Sequence, residues 1–137
     1  MTKPDPVREF LAERGAPEDV VSGGLDTLVA EWERTVRQIE GGYPLGLDDY
    51  LNDMDARQLA EDTLEVAAEG PRAAAASRLQ AADARARRSV RLVGECLWGS
   101  RVAARESWTK DRNWWYFAVP RKAGPLFTED LAASDSE

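Results

Sequence analysis

The densest run of potential ligands in this sequence is Asp48-Asp49-Tyr50-Leu51-Asn52-Asp53-Met54-Asp55. Oxygen donors in such number suit a hard cation, Ca²⁺ or Mg²⁺. A calcium loop, however, wants acids at alternate positions, a glycine at its sharp turn and a closing glutamate. Leu51 and Met54 interrupt the alternation, no glycine falls inside, and the closing position for a loop begun at Asp49 is Ala60. The sequence therefore gives these acids the work of capping and flanking two short helices. A carboxylate-based, metal-dependent enzyme around Asp48–Asp55 is the weakest of three functional readings.

Other routes to catalysis are poorly supplied. The chain contains no histidine, which excludes imidazole-based triads and imidazole zinc sites. Cys96 is the single cysteine, flanked by Glu95 and Leu97. An adjacent acid raises a thiol's pKa, so Cys96 reads as a packed structural residue and not a nucleophile. Gly23-Gly24 and Gly41-Gly42 lack the lysine and the preceding strand of a phosphate loop. No catalytic residue, metal ligand or cofactor is assigned.

The more informative feature is aromatic. Of eleven aromatic residues, seven lie between Trp98 and Phe127, and Arg101, Arg105, Lys110, Arg112, Arg121 and Lys122 are interleaved with them. Rings among cations stack bases and hold phosphates, or form the Trp-, Tyr- and Arg-rich centre of a protein interface. The candidate partner-binding residues are Trp108, Arg112, Trp114, Trp115, Tyr116 and Phe117, joined by Arg85, Arg88 and Arg91. In an extended segment Trp115, Phe117 and Val119 share one face, with Trp114 and Tyr116 on the other. Rings on both faces predict that some ring surface is exposed or used in self-association.

The elements that must position these residues are mostly helical. Pro6 suits a first turn, with Gly15 as the stop, and Val7, Phe10 and Leu11 on one face. A second helix starts near Pro17, or after Gly24, and carries the stripe Val21, Leu25, Leu28, Trp32, Val36 and Ile39. Leu47, Tyr50, Leu51 and Met54 mark a third, short helix. There the phase breaks, so a kink and a new helix are expected from Asp55 to Glu69, with Asp55 and Gln58 resembling a capping box. A long Ala-rich helix is predicted from Pro71 to Leu97 on the stripe Ala75, Leu79, Ala82, Ala86, Val90, Val93 and Leu97. Residues 114–119 have strand-like composition but no evident partner strand.

This pattern predicts an all-α, up-and-down bundle of about four helices with an extended aromatic C-terminal segment packed against it. A single helical domain spans 1–122, and 123–137 is expected to be loop ending in a disordered acidic tail.

Charge is segregated. Residues 1–70 hold 17 acids and 6 bases, whereas residues 71–122 hold 4 acids and 12 bases. An antiparallel hairpin of the helix after Asp55 and the helix after Pro71 would bring Asp53 level with Arg88 and Asp55 level with Ala86, between Arg85 and Arg87. It would also set Arg91 near Asp48 and Asp49. That pairing is one expectation. The other is a charged partner-binding face.

No apolar run is long enough to span a membrane, and the first residues have no apolar signal core, so a cytoplasmic location is expected. The leading functional reading is a non-enzymatic protein-interaction module, regulatory or antitoxin-like, that binds a protein partner or itself. The alternative is a nucleic-acid-binding protein using the Arg85–Arg91 face and the Trp108–Phe117 segment, disfavoured by a sequence pI near 4.7.

Overall fold

The computed structural model describes residues 5–135. Helix α1 (Pro6–Glu13) begins where Asp5 accepts hydrogen bonds from the backbone N–H groups of Val7 (3.0 Å) and Arg8 (3.4 Å). Such a cap stabilises by about 1 kcal/mol. Helix α2 (Glu18–Gly41) contains the two starts that the sequence offered, because Gly24, at φ 61° and ψ −144°, kinks it. Only glycine adopts that conformation without strain. Val7 of α1 lies against this kink, 3.5 Å from where a Cβ on Gly24 would be.

Helix α3 (Leu47–Val66) is continuous, and the kink expected at Asp55 is absent. Its buried face runs Tyr50, Leu51, Met54, Arg57, Ala60 and Thr63. An arginine and a threonine therefore occupy core positions, which is why an apolar stripe loses phase there. Asp55 consequently sits in mid-helix and caps nothing.

Helix α4 (Glu69–Ser89) takes Gly70 and Pro71 into its first turn, where proline has no N–H to miss. Its stripe Ala75, Leu79, Ala82 and Ala86 packs on α2 as the spacing predicts. The helix stops at Ser89, well short of Leu97. Strand β1 (Val90–Leu92) follows and pairs antiparallel with β2 (Ala118–Pro120), with Arg91 opposite Val119. This is the partner strand that the sequence did not reveal.

The three long helices run up, down and up. Arg78 pairs with Glu33 and Arg85 with Glu40, at one constant separation of 45 residues, so α2 and α4 are parallel. The α3 helix lies between them in sequence and runs the other way. These ion pairs correct the expected charge zipper, because the basic edge of α4 meets α2 and not α3. Arg78 also reaches Asp26 at 2.6 Å. At these exposures the pairs add little to stability and chiefly fix register.

One ion pair is of another kind. Arg57, 4% exposed, donates from Nε and Nη2 to both oxygens of Asp83 on α4 (3.1 and 2.8 Å) and from Nη1 to Glu61 (3.1 Å). Trp32 Nε1 donates to the same Asp83 at 2.8 Å, and the guanidinium lies 4.3 Å from the centre of the Trp115 ring. One fork thus ties together α2, α3, α4 and the aromatic segment.

Helix α5 (Ser100–Glu106) leads to that segment. Trp114–Phe117 forms a single 3-10 turn, not an extended strand. With about three residues per turn, successive rings point in different directions. Trp114 meets Trp32 edge-on, Trp115 lies under Arg57, and Tyr116 stacks on Trp108. All four are buried, at 5, 2, 1 and 6% exposure, which corrects the expectation of exposed rings. Within this packing Trp115 Nε1 has no hydrogen-bond partner.

Helix α6 (Pro125–Asp135) replaces the loop expected from residue 123. Pro125 at its first position starts a helix as Pro6 does. The helix buries Phe127 against Tyr43 and Tyr50 and brings Asp130 to the N–H of Leu47 (3.1 Å), the first residue of α3. The disorder expected from Ala132 gives way to helix as far as Asp135, and the end of that tail, 136–137, lies outside the described residues. Among the described residues no helix is long and apolar enough to cross a membrane.

Candidate functional site

A groove of about 580 Å³ opens between α3, the end of α1 and the chain from Glu106 to Tyr116. Its centre is the half-buried indole of Trp108. Tyr116 covers one face of that indole, with ring centres 3.8 Å apart and planes 15° from parallel. The chain reaches this position through Ser107, which ends α5 in the left-handed region (φ 60°, ψ 35°). It is the one non-glycine residue with positive φ among those described. Trp108 N–H then closes back on Ala103 C=O at 2.9 Å.

The floor is a line of hydrogen bonds along α3. Asp55 Oδ1 accepts from Tyr116 OH (2.7 Å) and from Trp98 Nε1 (3.0 Å). Asn113 Nδ2 donates to Gln58 Oε1 (2.9 Å), and Gln58 Nε2 donates to Asp62 Oδ1 (2.9 Å). Asp62 Oδ2 accepts from Arg14 Nη2 at 3.4 Å. Burial, with the bond to Asp55 adding to it, pushes the Tyr116 hydroxyl well above its ordinary pKa, so it remains a donor. Residues 55, 58 and 62 share one side of α3 by helical spacing. That spacing is visible in the sequence, but it carries meaning only once α3 runs unbroken through Asp55.

The walls carry Glu106 and Arg112, both exposed. Glu106 accepts from its neighbour Arg105 at 3.4 Å, and Arg112 forms no ion pair with another described residue. The lining thus combines three carboxylates, two guanidinium groups and one indole. Ser107, the one hydroxyl nucleophile in the lining besides the fixed Tyr116, donates to no base among the described residues. The arrangement is equipped to hold a ligand and has no assembled nucleophile.

Of the predicted partner-binding residues, Trp108, Arg112 and Tyr116 meet at this groove. Trp114, Trp115 and Phe117 belong to the core, so their rings are closed to a partner. Arg85 is held by Glu40, while Arg88 and Arg91 are exposed elsewhere. Arg91 lines a second cleft, of about 480 Å³, with Val93, Cys96, Val119 and Leu131. Burial pushes the Cys96 thiol pKa up, in keeping with an inert structural cysteine.

The Asp48–Asp55 run disperses over one helix. Asp49 accepts from Gly46 N–H (3.2 Å), Asp53 accepts from Tyr43 OH (2.7 Å), and Asp55 faces the groove. Burial holds the Asp53 carboxyl pKa above the usual range. Among the described residues no three carboxylates or thiols converge as a metal ligand set. No family model, curated protein or solved structure matches this chain.

Proposed function

We propose that this chain is a non-enzymatic protein-interaction module, regulatory or antitoxin-like, that docks a basic segment of a partner protein in the Trp108 groove. The observation that carries this reading is the setting of Trp108. Its indole is half-buried, immobilised on a buried tyrosine, and ringed by Asp55, Asp62 and Glu106. A rigid aromatic anchor beside charged groups is the composition found at the energetic centres of interfaces. Carboxylates outnumber guanidinium groups, and Arg14 is already engaged by Asp62. A partner's lysine or arginine would meet both an acid and a ring face. The nucleic-acid alternative loses support, because the rings it needs for stacking at Trp114–Phe117 are core.

Panning a random peptide display library on the folded protein tests the reading. The expected outcome is enrichment of Arg- or Lys-bearing peptides that lose at least tenfold in affinity on Trp108→Ala and on the surface variant Glu106→Lys. No enrichment, or peptides indifferent to both variants, would remove the groove from consideration.

A further inference from the structure

We propose that the outer edge of β1 accepts an extended, alternately acidic and apolar segment of a partner protein as a third strand. Two ladder bonds fix which way β1 faces. Val93 N–H donates to Phe117 C=O (2.8 Å), and Arg121 N–H donates to Ser89 C=O (2.9 Å). In an antiparallel pair the inward-bonding residues alternate, so 89, 91 and 93 face β2 while the N–H and C=O of Leu92 point away. No other described residue bonds those two groups. The Leu92 side chain is 62% exposed, the most open large apolar residue among those described. The far edge of β2 is closed by contrast: Tyr50 OH donates to Ala118 C=O at 2.9 Å, and Pro120 has no N–H.

The chemistry of the guest follows from the charges around this edge. Arg91 and Arg121 lie on one face of the ribbon by register, and Arg88 and Lys122 flank it in sequence. None of the four forms an ion pair among the described residues. Arg14, Arg57, Arg78 and Arg85, by contrast, each pair with an acid of another helix, and the chain holds seven more acids than bases. The C-terminus of α4 offsets only about half a charge of this cluster. An added strand alternates its side chains between the two faces. It sets one row beside Arg91 and the other beside Leu92, which calls for acidic residues in the first row and apolar residues in the second.

A second copy of this chain is a poor guest, because pairing β1 with itself gathers the unpaired Arg88 and Arg91 of both copies on one short ribbon. A long polyanion such as nucleic acid finds no exposed ring on the ribbon and meets the acidic remainder of the molecule.

The test is fluorescence anisotropy of a labelled decapeptide of alternating Glu and Val, titrated with the full chain at low salt. The expected result is saturable binding that falls at least tenfold in Arg91→Glu/Arg121→Glu. The control Arg101→Glu/Arg105→Glu, with the same charge change on exposed α5 positions, should stay within threefold of wild type. A peptide N-methylated at alternate residues on its pairing edge should also bind at least fivefold more weakly, since strand addition needs its N–H groups. Equal loss in both charge variants, or indifference to N-methylation, would overturn strand addition. A single-stranded oligonucleotide of equal charge that bound more tightly than the peptide would overturn the protein partner. So would a dimer that dissociates only in Arg91→Glu/Arg121→Glu.

Discussion

Arg57 takes a full charge into the core, and the sequence gives no warning of it because a lone arginine in a helix reads as surface. What makes it tolerable is that each nitrogen of the guanidinium has an acceptor and its face has an indole. Truncating the partner is therefore far worse than removing both. Asp83→Ala should lower stability by about 3 kcal/mol, because it strands Arg57 and also frees Trp32 Nε1. Arg57→Met/Asp83→Leu should recover most of that loss, and urea denaturation of the two variants checks the ordering. If the double variant were as unstable as the single, the cost would lie in packing and not in the unpaired charge. The groove was legible in part at this scale. Trp108, Arg112 and Tyr116 stood out by composition, whereas Arg14, Gln58 and Asp62 are ordinary surface residues that become a site only when the 106–116 loop is laid over α3.

Helices with an unbroken apolar stripe were readable, as α2 and α4 show, because burial alone dictates their spacing. The elements that escaped depend on something else. The continuity of α3 rests on a buried ion pair, and β1 has only three residues whose identity as a strand depends on β2. The start of α6 rests on a proline that marks loops and helix starts alike. The kink in α2 is the clearest case of one residue shaping an element. Gly24→Ala should cost about 1–3 kcal/mol, because a side chain is strained at that φ and ψ whatever the space around it. The exposed Gly70→Ala in the first turn of α4, where φ is ordinary, is the comparison. Thermal denaturation giving equal shifts for both would mean that the kink is not strained by a side chain.

Over the whole molecule, the aromatic segment is less a surface than part of the core against α2 and α3. Trp32, Trp114 and Trp115 are buried, while Trp98 is 40% exposed and Trp108 half-buried. Acrylamide should quench mainly the last two, so Trp98→Phe/Trp108→Phe should leave a blue-shifted emission that is nearly unquenchable. Unchanged quenching in that variant would mean that the buried rings open to solvent in solution. Charge segregation is legible in the sequence, and the structure places part of it in an α2–α4 seam through Arg78 and Arg85, while Arg88, Arg91, Arg121 and Lys122 gather near the β ribbon. The cap that Asp130 places on the first residue of α3 extends this dependence into the order in which the chain is made. Synthesis delivers α2, α3 and α4 long before the rings, the second strand and α6, which complete them. Until Asp130 has emerged, α3 lacks its cap and Tyr43 and Tyr50 lack Phe127, so α2, α3 and α4 cannot complete their native packing while α6 is still to come.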